Sequence, residues 1–238
     1  MTHGLSLSRR IRTAAVWPLG VALTSWDYMW RTTPMHRREV RGSPDEDAPP
    51  LLPAKISHDE LQLPEHGVGP LFHRRYRTRI REARLSPDQL VAEVSGDPDR
   101  ATPKDLARFV KVLGADGVMR VGDEFVVRMP GPWDGPVRVV EVTPTSFRLA
   151  TLAGHLEAGQ IEFRAGCEDG ELVFCIESWA RSGDRLCHLL YDRLRMAKEI
   201  QLHMWTSFLE RVVRLAGGRM TGGVDIDTRR VDLEHDAA

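Results

Sequence analysis

A histidine and a glutamate two positions apart, His155 and Glu157, stand between glycines in the run Gly154-His155-Leu156-Glu157-Ala158-Gly159. An imidazole titrates near neutrality, so beside a carboxylate it can hold a ligand, move a proton or satisfy its own hydrogen bonds. If the residues between the glycines are extended, the spacing puts both side chains on one face. As an acid/base pair they are the candidate catalytic residues, and the carboxylate would raise the imidazole pKa. As a structural pair they would fix a bend between strands.

Other groups with chemical potential cluster nearby. Glu162 and Glu177 fall on neighbouring expected strands, and alternation sets Glu162 on the face opposite Ile161, Phe163 and Ala165, the apolar set being the interior one. Trp179-Ala180-Arg181-Ser182-Gly183-Asp184 joins the last of these strands to a helix, where Asp184 suits an N-cap and Arg181 can brace it or meet an anionic group. Trp133 rides on the rigid turn Gly131-Pro132-Trp133-Asp134-Gly135-Pro136, as a lid or as packing on the sheet edge. Lys198, Glu199, Gln201 and His203 interrupt the apolar stripe of the helix, either to orient a ligand or as a solvated face. Trp133, Trp179, Arg181, Gln201 and Trp205 are therefore the candidate ligand-binding residues.

The elements that position these groups follow from periodicity. Leu71 to Ala83 is a basic, alternating stretch that suits a first strand. Ser86-Pro87-Asp88-Gln89 is a capping-box start for a helix, and Thr102-Pro103-Lys104-Asp105 predicts a second, with Leu106, Phe109, Val110 and Leu113 on one face. The period then becomes two over 124–129, 136–142, 146–152, 160–165 and 171–180, separated mostly by Gly, Pro and Asp turns, which predicts an antiparallel meander. The turn at Glu168-Asp169-Gly170-Glu171 would pair Cys167 with Leu172 and Cys175 with Arg164. From Asp184 the helical period returns and runs to Ala216, where Gly217-Gly218 stops it. The expected fold is α+β: a helix-grip in which a curved antiparallel sheet wraps a long C-terminal helix, with an N-terminal arm. A lumen between sheet and helix would be a small-molecule site.

Val121-Gly122-Asp123, Arg138-Val139-Val140-Glu141, the His-x-Glu hairpin and Phe174-Cys175-Ile176-Glu177-Ser178 resemble the motifs of a domain-of-unknown-function family, also catalogued as an uncharacterised protein family, over residues 67–216. That family is similar to the START-like, polyketide-cyclase helix-grip domains. The resemblance implies a lumen for an apolar or amphipathic ligand and carries over no catalytic residue.

Charge and composition set the remaining bounds. The chain has 238 residues, 42% hydrophobic and 28% charged, with a net charge of −1, which gives no reason to expect nucleic-acid binding. Cys167, Cys175 and Cys187 match no zinc spacing and read as reduced thiols of a cytoplasmic protein; no metal or cofactor is expected. Four segments are expected: a basic aromatic arm over 1–41 with a balance of +5, an acidic Pro-rich linker or strap over 42–66 with a balance of −5, the helix-grip domain over 67–218, and a loose polar tail over 219–238. The apolar run from Ala14 to Trp26 imitates a signal peptide, but Pro18 and Gly20 interrupt it, no small-residue cleavage site follows, and it is too short to span a bilayer. The leading function is a START-like protein binding a small apolar or amphipathic ligand. The alternatives are a cyclase, dehydratase or isomerase using His155 and Glu157, and a membrane-peripheral or partner-binding protein acting through residues 1–41.

Overall fold

A computed structural model describes residues 33–129, 134–183 and 196–233, with the backbone alone for 196–200. Nine strands form one curved sheet in the order β1-β9-β2-β8-β7-β6-β5-β4-β3. In chain order these are β1 (Met35–Arg41), β2 (Val68–Arg81), β3 (Arg108–Leu113), β4 (Glu124–Arg128), β5 (Asp134–Thr143), β6 (Ser146–Thr151), β7 (Glu157–Glu168), β8 (Glu171–Ser182) and β9 (Arg219–Val231). Two α-helices complete the described residues, α1 (Pro87–Gly96) and α2 (Met196–Leu215). All neighbouring strands are antiparallel except β1 and β9. The α+β helix-grip expectation agrees with this architecture.

Alternation decides which face of the sheet meets α2. Tyr76 and Ile80 of β2, Phe147 and Leu149 of β6, Phe163 of β7, and Phe174 and Ile176 of β8 are buried with Phe208, Leu209 and Val212 of α2 in one cluster. The cross-strand partners Phe163–Ile176 and Ala165–Phe174 lie on this interior face, and Glu162–Glu177 on the outer face. The hairpin register is the expected one, with Cys167 opposite Leu172 and Arg164 opposite Cys175. Stacked rings fill much of the interior: Phe147 lies 4.8 Å from Phe163, and Phe208 lies 5.5 Å from Phe163 and 6.4 Å from Phe174. Around Phe208 the sheet therefore encloses packed rings and not an open lumen. The α1 start matches its capping box, the Ser86 N–H donating to Gln89 Oε1 at 3.0 Å.

Three expectations differ from the structure. The predicted second helix is a single turn, closed by the Ala107 N–H on the Pro103 carbonyl at 3.0 Å, and Arg108–Leu113 is instead strand β3. Phe109, Val110 and Val112 favour a pleated surface, and β4 offers a free edge to pair with. The tail expected to be loose is strand β9 over Arg219–Val231, because Val224 and Ile226 alternate with Asp225 and Asp227 and bury on the interior face. Residues 35–41, read as part of the arm, form β1 alongside it. Residues 1–32 of the arm, Trp133 and the start of the long helix at Asp184 lie outside the described residues.

The acidic segment crosses the outer face as a strap. Leu52 and Ile56 pack on Leu61, Leu63, Val140, Ala150 and Leu152. Gln160 Nε2 donates to the Pro50 carbonyl at 3.1 Å and Arg148 Nη2 to that of Leu51 at 3.2 Å. At its other end α2 stops where expected: Gly217 has φ +66°, a left-handed conformation that suits glycine, and Gly218 N–H reaches the Val213 carbonyl at 3.3 Å.

Candidate functional site

His155 and Glu157 separate as side chains. The Glu157 N–H donates to His155 Nδ1 at 2.9 Å, so the imidazole folds back on its own hairpin. Its other nitrogen lies against Gly135, where an added Cβ would sit 2.9 Å from Nε2. His155 is half-buried, and desolvation pushes its pKa below the ordinary value, outweighing the opposing charge of Glu157. The expected upward shift is thus reversed, because burial acts more strongly here than the neighbouring carboxylate. The Glu157 side chain turns inward instead. Its Oε1 accepts from Gln201 Nε2 of α2 at 3.4 Å and lies 3.9 Å from Arg74 Nη1 of β2.

Glu157 thereby marks a polar end of the interior. Moving along the sheet from the Phe163–Ile176 row, the next row is Arg74–Ser178–Ile161–Leu149, and beyond it Phe72 pairs with Ala180. Arg74 is only 5% exposed. Its Nη1 donates to Gln201 Oε1 at 3.2 Å, and its guanidinium carbon lies 4.6 Å from the centre of the Phe72 ring. Trp205 stands one helical turn beyond Gln201 on the same side of α2, edge-on to Phe163 at 5.6 Å. Arg74 Nη2, Ser178 Oγ and Trp205 Nε1 are buried and have no hydrogen-bond partner among the described residues. Arg74 Nη2 and Trp205 Nε1 only donate, Ser178 Oγ can donate or accept, and a buried polar group left unpaired costs about 1–3 kcal/mol.

Of the candidate ligand-binding residues, Gln201 and Trp205 meet at this end. Trp179 and Arg181 do not, because odd positions of β8 face outward. Trp179 is buried with Leu71 and Val231 and stacks on His73 at 5.1 Å. Arg181 donates to the carbonyls of Gly69 at 2.7 Å and Pro64 at 3.2 Å, fastening the bend that enters β2. Arg74 and Ser178, which share this end, do not stand out in the sequence by type or motif. Alternation could have found Arg74, since it shares parity with Tyr76 and Ile80 in a strand whose other face carries His73, Arg75, Arg77 and Arg79.

The outer face holds a second buried cluster. His73 places Nδ1 2.7 Å from Asp47 Oδ1 of the strap and Nε2 2.7 Å from Glu177 Oε1. Burial raises the Glu177 carboxyl, but hydrogen bonds from His73 and Arg75 and the charge of Arg164 hold it down at about 2. Burial opposes the shift at Asp47 too, and the hydrogen bonds from His73 and the Ser43 N–H with the Arg229 charge lower it. The neighbouring Cys175 thiol is pushed up to about 11 by burial, which makes it a poor nucleophile. Among the described residues no His, Cys, Asp and Glu groups are arranged to hold a metal ion, and no helix is long and apolar enough to cross a membrane.

The family model described as "Domain of unknown function (DUF1990)" matches residues 70–212. No curated protein matches the chain. Among solved structures, hypothetical protein jhp0584 from Helicobacter pylori is 9% identical, with 60% of this chain and 86% of that one covered and a TM-score of 0.43. The major latex-like protein 151 of Panax ginseng is 14% identical, with 57% and 99% covered and a TM-score of 0.37. The di-domain ARO/CYC protein StfQ of the steffimycin biosynthetic pathway is 11% identical, with 65% and 52% covered and a TM-score of 0.48. At these distances none of them assigns a residue of this chain.

Proposed function

The chain belongs to the family described as Domain of unknown function (DUF1990), and we propose that it binds one small, largely apolar molecule between the sheet and α2, at the polar end of the interior. The supporting observation is the set of buried polar groups without partners among the described residues at Arg74, Ser178 and Trp205, placed beside the apolar side chains of Ile161 and Leu149. Binding sites of this kind are mostly apolar, with a few polar groups that fix orientation. The stacked phenylalanines around Phe208 fill the adjoining part of the interior and take no part in the site. Proton transfer by His155 with Glu157 has weaker support, since the ring is engaged by its own hairpin and the two side chains diverge. A cytoplasmic location accompanies this reading, because the free thiols of Cys167 and Cys175 suit a reducing compartment.

The test is titration of the full chain with the neutral fluorophore N-phenyl-1-naphthylamine. Saturable binding is expected, weakened at least tenfold by Ile161→Trp or Ala180→Leu, each of which adds bulk at the site. Thermal unfolding of both variants controls for loss of fold. No saturable binding, or equal binding by folded variants, would reject the proposal.

A further inference from the structure

Resting on that interior-binding reading, we propose that the bound molecule carries a carboxylate and that Arg74 recognises it. Of the three unpartnered groups at this end, Arg74 Nη2 and Trp205 Nε1 can only donate, and Ser178 Oγ can donate as well as accept. What the first two lack is acceptors, so the complementary group is rich in oxygen lone pairs. A carboxylate has two oxygens and about four lone-pair sites, whereas a hydroxyl has one oxygen and a ketone has no charge to set against Arg74.

The surroundings disfavour more than one negative charge. Arg74 is buried, and its neighbouring carboxylate, Glu157, stands 3.9 Å from Nη1. Gln201 joins the two, accepting from Arg74 with Oε1 at 3.2 Å and donating to Glu157 with Nε2 at 3.4 Å. This link, together with Phe72 under the guanidinium at 4.6 Å, fixes the plane of the fork while Nη2 stays available. A planar fork matches a carboxylate edge. Glu157 would repel a dianion such as a phosphate monoester more strongly than a monoanion. The apolar remainder of the ligand then lies along Ile161 and Leu149, next to the Trp205 ring. Ser178, the cross-strand neighbour of both Arg74 and Ile161, stands where the polar and apolar parts join.

Decanoate and decan-1-ol, which share a chain and differ in the head group, separate this inference from the reading beneath it. Each is titrated at pH 7 against the full chain loaded with the neutral naphthylamine probe. The expected result is displacement by decanoate at a concentration at least tenfold lower than by decan-1-ol. Arg74→Met should abolish that preference and leave the alcohol within about threefold of wild type, and Ser178→Ala should weaken the acid severalfold. Should Arg74→Met fail to fold, Arg74→Lys, which keeps the charge without the fork, is expected to retain only part of the preference. Equal displacement by acid and alcohol, a preference that survives loss of the Arg74 fork, or displacement by neither would overturn the carboxylate while leaving interior binding in place. Failure of the probe itself to bind would overturn both.

Discussion

A buried carboxylate stays ionised only while donors face it, and Glu177 has three: His73, Arg75 and Arg164. Its folded pKa of about 2 lies below the ordinary 4.5, so the folded state binds this proton less readily than the unfolded chain does. The resulting stabilisation is present above pH 4.5 and is lost as pH falls through about 2. Urea unfolding midpoints should therefore fall steeply across that window in wild type. Glu177→Gln should be less stable at pH 7 and show a shallower fall, whereas an identical slope in the two proteins would contradict the assignment. Asp47 adds to the effect in the same direction. Little of this cluster was legible in the sequence. Asp47 reads as one acid among several in a proline-rich stretch and His73 as one base in a basic strand, and only the folding of the strap onto the sheet brings them within 2.7 Å. His155 and Glu157, by contrast, stood out by type and spacing, yet backbone hydrogen bonding at the hairpin sends them to different partners.

Strand β9 joins the two ends of the described chain. It lies between β1 and β2, parallel to the first and antiparallel to the second, so without it β1 has no neighbour among the described strands. Ending the chain after Gly217 should abolish cooperative unfolding, and a truncated protein with wild-type urea midpoint and slope would contradict this placement. The central meander and the end of α2 were readable because apolar alternation there runs for many residues and Gly217-Gly218 closes the helix. In β9 only Val224 and Ile226 carry the alternation, directly after Gly222 and Gly223 at φ +73° and +98°, so a strand looked like a tail. For β3 the helical spacing of Leu106, Phe109, Val110 and Leu113 competed with strand-forming residues, and pairing with β4 decided the outcome.

Across the whole molecule the interior divides along α2 into a packed part and a polar end. Phe208, fully buried against Phe163, Phe174 and Trp205, belongs to the packed part. Phe208→Ala should cost about 3–5 kcal/mol in urea unfolding, and probe affinity measured where the variant is still folded should change by less than about threefold. Ile161→Trp should do the reverse, holding stability within about 1–3 kcal/mol while weakening the probe at least tenfold. Equal effects of the two substitutions on binding would contradict the division. The central claim is the location of a ligand on the interior face, and methyl and indole NMR of the full chain with decanoate tests it most directly. The account predicts shifts concentrated at the Ile161 and Leu149 methyls and the Trp205 indole N–H. Shifts confined to the outer-face methyls of Val140 and Leu152, or none at saturating decanoate, would contradict it.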